Sequence, residues 1–121
     1  MTGVLVLAHG SREKETEATL DKIVSSLNQR LVGTKIERAF LQFSDTNLEQ
    51  GLLKLIDKGV TDIKVVPYFL FEGVHIKEDI PNEIKAFNKE YPNVKITLGR
   101  TLGEDYRLAE VLADRIQELI R

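Results

Sequence analysis

Two histidines are the side chains of this 121-residue protein best suited to bind a metal or move a proton. His9 follows an apolar run in "VLVLAHGSRE", and His75 lies in "FEGVHIKEDIP". Neutral imidazole binds first-row divalent metals, and it also accepts protons near neutral pH. The chain has no cysteine, which excludes thiolate metal sites, thiol nucleophiles and disulfides. Its chemistry therefore depends on whether the fold brings the two histidines together.

The composition is that of an ordinary soluble globular protein. Hydrophobic residues make up 42% and charged residues 30%, and the formal net charge is −2. This balance does not favour nucleic acid or an acidic membrane surface as a partner. No apolar stretch approaches the ~20 residues of a membrane span, and no basic segment with a cleavage site opens the chain. We expect a cytoplasmic protein with one domain over residues 1–121.

Short apolar runs alternate with apolar residues at helical spacing. The runs predict strands over residues 4–8, 35–43, 62–70 and 95–99, with the third ending near Pro67, which cannot donate a ladder hydrogen bond. The helical stripes begin near Leu20, Leu48, Ile80 and Leu108. The segment "SDT" before Leu48 offers N-cap candidates, and Gly33 and Gly59 are expected to end the first two helices.

The order of elements predicts an α/β fold with a parallel sheet and helices on both faces. We expect the strand order 2-1-3-4, which reverses between the first and third strands. Ligands of such sheets bind outside the carboxyl ends of the strands at this reversal. His9 ends the first strand, and His75 lies in the predicted loop after the third. Both histidines should therefore face one crevice, although either could also be a hydrogen-bonded structural residue.

Other residues near the predicted crevice have both a functional and a structural interpretation. Glu72, Glu78 and Asp79 could be further ligands or bases, whereas capping of the next helix is the simpler role for Asp79, with Pro81 in the first turn. Gly10 and Gly73 permit close approach of a ligand or simply make turns. Ser11 could cap the first helix. Three cations near the strand ends could together attract a polyanion: Arg12, Lys77 and Arg100.

Four segments resemble the class II tetrapyrrole metal chelatases, and in particular the short sirohydrochlorin cobaltochelatase family. They are "LAHGSRE", "AFLQF", "VVPYFLFEGVHIKEDIP" and "LGRTLGEDYRLAEVLADRI". The pattern from Pro67 to Pro81 is the most specific of them. The resemblance implies insertion of a divalent metal substrate into sirohydrochlorin without ATP, with cobalt favoured and iron or nickel as alternatives. It also implies a homodimer.

The resemblance implies roles for nine residues. His9 and His75 correspond to the metal-handling catalytic histidines. The expected substrate-binding residues are Ser11, Arg12, Gln42, Phe71, Gly73, Val74 and Lys77. Gln42 departs from the family, because relatives often carry a glutamate there and an amide cannot act as a carboxylate base. Asp105 follows Glu104 where relatives often have a histidine, and we expect it to cap the last helix.

Three other interpretations compete with a chelatase. Histidine phosphatases also place a histidine and a glycine after the first strand, but they carry an arginine where this chain has Ala8. The chain could instead be a non-catalytic metal or tetrapyrrole carrier, an interpretation that Gln42 keeps open. A flavodoxin-like binding domain with purely structural histidines is the third.

Overall fold

The computed structural model describes residues 1–120, except for the side chain of His75. Strands and helices alternate along the whole described chain. In order they are β1 (Thr2–Ala8), α1 (Glu15–Arg30), β2 (Lys35–Phe40), α2 (Leu48–Asp57), β3 (Asp62–Pro67), α3 (Val74–Glu90), β4 (Lys95–Leu98) and α4 (Tyr106–Ile120). None of these helices is both long and apolar enough to cross a membrane.

The four strands form one parallel sheet in the order β2-β1-β3-β4, which confirms the predicted fold class and topology. In the register of the sheet, Ala8 lies beside Phe40 of β2, and Leu7 lies beside Pro67 of β3. The carboxyl ends of β1, β2 and β3 therefore reach the same edge of the sheet. The loops that follow these strands are neighbours for this reason.

Helices on the two faces of the sheet produce two separate clusters of buried residues. The larger cluster joins α2 and α3 to one face, with Leu5, Leu52, Ile63 and Ile80 at most 1% exposed. The smaller cluster joins α1 to the opposite face through Leu20, Val24, Val6, Ile36 and Phe40. Alternation along each strand sends successive side chains to opposite faces, which is why β1 contributes to both clusters.

Helix α4 packs differently from the other three helices. It is amphipathic, but none of its residues is buried, and every residue from 109 to 120 is exposed. On the side of the sheet where α1 packs, the part of the face formed by β3 and β4 is also uncovered. Val66 and Tyr68, which lie there, are each 39% exposed. Neither core cluster includes a residue of α4.

Helix α3 starts earlier than the sequence predicts. Its first residue is Val74, so His75 lies in its first turn rather than in a loop, and Pro81 lies inside the helix rather than in its first turn. Glu78 and Asp79 are then helical residues, and the expected cap at Asp79 is wrong. The apolar stripe gives the reason, because Ile76 packs against the core one turn before Ile80 and extends the helix towards its N-terminus.

Smaller corrections concern the ends of other elements. Strand β2 stops at Phe40 because its N–H bonds to the Thr46 carbonyl at 2.9 Å, which turns residues 41–43 out of the predicted strand. The N-cap of α2 is Asn47 rather than a residue of "SDT", and it forms a capping box with Gln50. Ser11 does not cap α1, whose N-cap position is Lys14.

Candidate functional site

His9 lies where the sequence places it, one residue beyond the end of β1. Its side chain is exposed, and one side of the ring packs on the buried Phe69, with 4.3 Å between ring centroids. Phe69 follows β3, so this contact ties the loop after β1 to the loop after β3. The imidazole is thus positioned by packing while it remains open to solvent at the carboxyl edge of the sheet.

The loop after β2 is bonded directly to the backbone of His9. The Gln42 N–H donates to the His9 carbonyl at 3.1 Å, and the Leu41 N–H donates to the Ala8 carbonyl at 2.9 Å. The Gln42 carbonyl also lies against Gly10, whose φ of +91° is in the left-handed region, and a Cβ there would overlap the carbonyl oxygen. Glycine is required at position 10, and Gln42 is held beside His9 with its side chain exposed.

The loop after β3 and the start of α3 carry four more of the predicted residues. Phe71 is 82% exposed and Val74 70% exposed. Gly73 is the N-cap of α3, with no side-chain cap and no acidic residue in the first turn. The first backbone N–H groups and the positive end of the helix dipole therefore face the edge without a carboxylate from the first turn. Lys77 pairs with Glu72 at 3.4 Å, a contact between exposed side chains.

Ser11 and Arg12 lie in the bend between β1 and α1. The Ser11 hydroxyl accepts a hydrogen bond from the Glu13 N–H at 3.0 Å, so it shapes this bend. The Arg12 guanidinium lies over the ring of Phe43, with its Cζ 5.1 Å from the ring centroid. Arg12 thereby joins the loop after β1 to the loop after β2, which the sequence did not indicate.

A cavity of about 420 Å³ lies beside His9 on the α1 face of the sheet. His9, Glu15 and Tyr68 are among the residues that line it, together with apolar groups such as Phe40. Sequence reasoning missed Glu15 and Tyr68, because their proximity to His9 depends on how α1 starts and how the chain leaves β3. Among the described side chains, there is no group of three or more histidine, aspartate or glutamate residues close enough together to hold a metal ion.

The loop after β4 borders the same edge. The Leu102 N–H donates to the Phe69 carbonyl at 2.9 Å, and the Gly103 N–H donates to the Leu70 carbonyl at 3.1 Å. Asp105 accepts from the Arg107 N–H at 2.9 Å, which confirms that it caps α4. Hydrogen bonds from the Arg107 side chain and backbone hold the pKa of Asp105 well below its usual range. Arg100 lies exposed in this loop.

The structure therefore places the described candidates along one edge of the sheet. His9, Ser11 and Arg12 follow β1, Gln42 follows β2, and Phe71, Gly73, Val74 and Lys77 follow β3. The backbone of His75 belongs to the first turn of α3, and its side chain lies outside the described part of the structure. An exposed imidazole, a helix N-terminus without a cap among the described side chains, and several cations together suit a ligand with metal-binding and anionic groups.

Comparisons with known proteins place the chain in a family. The family model described as CbiX matches residues 3–119. The sirohydrochlorin cobaltochelatase of Sulfurisphaera tokodaii is 33% identical over 121 residues, which cover 100% of this chain and 96% of that protein. The sirohydrochlorin ferrochelatase of Priestia megaterium is 35% identical over 98% of this chain, but the match covers only 44% of that protein.

A solved structure of a chelatase-fold protein also matches this chain. The structure of SirB from Bacillus subtilis with Fe³⁺ superimposes with a TM-score of 0.88 at 28% sequence identity, over 99% of this chain and 48% of that one. The chain thus spans about half the length of SirB and of the Priestia ferrochelatase, and nearly the full length of the Sulfurisphaera protein. These matches confirm the resemblance drawn from the sequence, and the chain belongs to the CbiX family.

Proposed function

We propose that this protein inserts a divalent metal into sirohydrochlorin without ATP, and that cobalt is its metal substrate. The observation that carries the proposal is the position of His9, which is packed on Phe69 yet open to solvent at the edge of the sheet where β1 and β3 end. A chelatase needs a ligand that holds the metal and then releases it. A tight cage of several side chains would resist that release.

The reaction exchanges one metal ion for two protons. Two pyrrole N–H groups of the macrocycle lose their protons as four nitrogens bind the metal, so the site needs a metal ligand and a proton acceptor. Neutral imidazole can serve as either. In this account His9 and His75 share the two tasks, since the backbone of His75 belongs to the first turn of α3 at the same edge. Gln42, held beside His9, supplies an amide where a carboxylate would otherwise act as base.

The surroundings of His9 suit a large, flat and anionic substrate. Exposed apolar side chains from the loops after β2, β3 and β4 and from the first residue of α3 border the edge: Phe43, Tyr68, Leu70, Phe71, Val74 and Leu102. Such residues favour contact with the face of a conjugated macrocycle. The acetate and propionate groups of sirohydrochlorin match Arg12, Lys77 and the free N-terminus of α3.

The choice of cobalt rests on the relatives that match this chain. The Sulfurisphaera protein, which is 33% identical over the whole chain, is a cobaltochelatase, and so are several of the other similar proteins. Imidazole ligands accept cobalt, iron and nickel alike, so the ligand type does not select the metal. Iron and nickel are therefore the alternative metal substrates.

We further propose that the protein acts as a homodimer in which each α4 covers the open sheet face of the other chain. Leu112 is 63% exposed and Ile116 53% exposed, and the stripe continues through Leu119 and Ile120. An isolated helix of this length is marginal in water, so this stripe needs a partner surface. Val66 and Tyr68 lie exposed on the half of the sheet face that no helix of the described chain covers. In α/β proteins, an amphipathic helix normally packs on such a face.

The longer relatives support this pairing. Because the chain matches 48% of SirB and 44% of the Priestia protein, one such chain has room for two units of this size. A second copy of this chain would supply the same arrangement. The cavity beside His9 includes Tyr68, so a helix seated on this face would also border the site.

The function is tested by following the absorbance change of sirohydrochlorin when cobalt, iron or nickel is added without ATP. The proposal expects insertion well above the spontaneous rate, fastest with cobalt. A faster rate with iron or nickel would replace cobalt and keep the chelatase. Folded protein that binds the macrocycle but does not accelerate insertion of any metal would instead support a carrier, and a Gln42→Glu variant would then test whether the missing carboxylate is the cause. Hydrolysis of a phosphomonoester would support the phosphatase alternative.

A further inference from the structure

Phe43 has a backbone conformation that its side chain does not favour. Its φ of 59° makes it the one non-glycine residue with positive φ in the described part of the chain. The left-handed region is uncommon for residues other than glycine, asparagine and aspartate, and it is unfavourable for a bulky aromatic side chain. Such strain persists only where the surrounding structure imposes it.

The loop after β2 imposes this conformation through its backbone. The Phe40 N–H donates to the Thr46 carbonyl at 2.9 Å, and the Leu41 and Gln42 N–H groups donate to the carbonyls of Ala8 and His9. These bonds fix both sides of Phe43, so its φ follows from the way the loop is attached to β1. The site that contains His9 therefore also determines where the ring of Phe43 lies.

The strain is not compensated by burial of the ring. Phe43 is 50% exposed and belongs to neither core cluster. The Arg12 guanidinium lies over the ring, with its Cζ 5.1 Å from the ring centroid. Among the described residues, no carboxylate lies within ion-pair distance of Arg12. The pair thus presents an exposed aromatic surface beside a cation with free hydrogen-bond donors.

We propose that Phe43 and Arg12 act as one positioning unit for the substrate. The exposed surface of the Phe43 ring packs against the face of a flat conjugated macrocycle, and Arg12 pairs with a carboxylate on its rim. This inference rests on the proposed function and adds Phe43 to the residues that the family resemblance implies. Stacking by Arg12 restricts its side chain before the ligand arrives, which reduces the entropy lost on binding.

The positive φ of Phe43 provides a clean test, because glycine adopts that conformation without strain. Phe43→Gly removes the ring and should not lower the melting temperature. The measurement is an absorbance titration of metal-free sirohydrochlorin into the protein. We expect about tenfold weaker binding for Phe43→Gly, which corresponds to one aromatic contact. Phe43→Trp should bind like the wild type, and Val32→Gly, which alters an exposed residue in the α1–β2 turn, is the matched control.

The role of Arg12 is tested with the same titration and a second ligand. Arg12→Gln should weaken the binding of sirohydrochlorin and leave the binding of its methyl ester, which lacks the rim carboxylates, unchanged. For both Phe43→Gly and Arg12→Gln, steady-state assays should show a raised KM with a nearly unchanged kcat, because the pair holds the substrate and touches no reacting atom.

The outcomes separate this inference from the proposed function. If the wild type does not bind sirohydrochlorin, the proposed function itself fails. If the wild type binds and Phe43→Gly binds equally well, the positioning unit is wrong and the chelatase stands. Loss of binding by Phe43→Gly together with a change of oligomeric state would also overturn the inference, because the ring would then act through the contact between chains. Equal losses for sirohydrochlorin and its ester in Arg12→Gln would exclude the carboxylate contact.

Discussion

His9 and Gly10 show how single residues determine the candidate site. Gly10 lets the chain turn sharply after β1, and its missing side chain allows the Gln42 carbonyl to approach. The same turn leaves the His9 carbonyl free to accept from the Gln42 N–H. The loop carrying Gln42 and Phe43 therefore depends on a residue that performs no chemistry.

Gly10→Ala should destabilise the protein by about 2–4 kcal/mol, because it combines a strained left-handed backbone with overlap of the Gln42 carbonyl. Thermal or urea unfolding measures the change. Gly33→Ala is the matched control, since Gly33 has a similar φ of +89° but nothing within 4 Å of the added Cβ. It should cost about 1–2 kcal/mol for the backbone alone. Equal costs for the two variants would contradict the packing described at Gly10.

Sequence reasoning was accurate at the residue scale where a strand end determines a position. His9 lies where the apolar run ends, and Asp105 caps α4 as expected. It missed Phe43, Glu15 and Tyr68, because their closeness to His9 or Arg12 depends on loop conformation. Contacts such as Arg12 with Phe43 join loops that are far apart in sequence, and no local pattern indicates them.

At the scale of elements, helix starts were the least predictable feature. The expected cap of α2 lay in "SDT", but Ser44 and Thr46 bond to each other within the loop instead, and Asn47 takes the N-cap position. The prediction that α3 starts near Ile80 was wrong for a different reason. Proline is typical of the first turn of a helix, but Pro81 lies inside this one. Several residues compete locally for a cap, and packing decides among them.

Asn47→Ala should cost about 1 kcal/mol, because it removes the side-chain acceptor for the Gln50 N–H at 2.9 Å and breaks the capping box of α2. Chemical denaturation measures this free energy of unfolding. Asp45→Ala, at an exposed position in "SDT", should change stability by less than about 0.5 kcal/mol. A larger cost at Asp45 than at Asn47 would reverse the assignment of the cap.

Helix α1 is tied to β2 by Arg38, which donates to Asp21 at 2.8 Å and pairs with Glu17 at 3.2 Å. The hydrogen bond from Arg38 lowers the pKa of Asp21. The ionised Asp21 carboxylate therefore stabilises the fold at pH values above the pKa of about 3.9 that an aspartate has in the unfolded chain. This stabilisation is lost as the pH falls through the lower pKa of Asp21 in the folded protein.

Asp21→Asn should lower stability near neutral pH by at most about 1 kcal/mol, because the Asp21 side chain is 56% exposed and solvent screens the pair. The difference from the wild type should shrink as the pH falls below the unfolded pKa. Unfolding titrations at several pH values provide the comparison. A difference that grows towards acid pH would mean that the aspartate pKa is raised rather than lowered.

For the molecule as a whole, the sheet order was predictable and the position of the last helix was not. Alternating strands and helices with short connections leave few topologies, and the order 2-1-3-4 is among the common ones. The apolar stripe of α4 predicts a buried face, but it does not indicate which surface buries it. In the structure that stripe is exposed, and a second chain is the partner we propose.

Leu112→Glu should convert a dimer into a monomer, because it places a charge in the stripe that the partner would bury. Sedimentation equilibrium gives the mass directly. Gln117→Glu introduces the same charge about 140° around the helix from Leu112 and should leave the dimer intact. A wild-type protein that is monomeric at all concentrations tested, or a dimer that survives Leu112→Glu, would exclude the proposed pairing.

The most direct test of the account is the rate of cobalt insertion into sirohydrochlorin by the wild type, His9→Ala and His75→Ala under identical conditions. The two-histidine mechanism predicts a wild-type rate well above the spontaneous rate and a loss of about 100-fold or more in each variant, as expected for removal of a ligand or base. Circular dichroism should show that both variants remain folded, since His9 is exposed and His75 lies in the first turn of α3. Full activity in either variant would contradict the two-histidine mechanism.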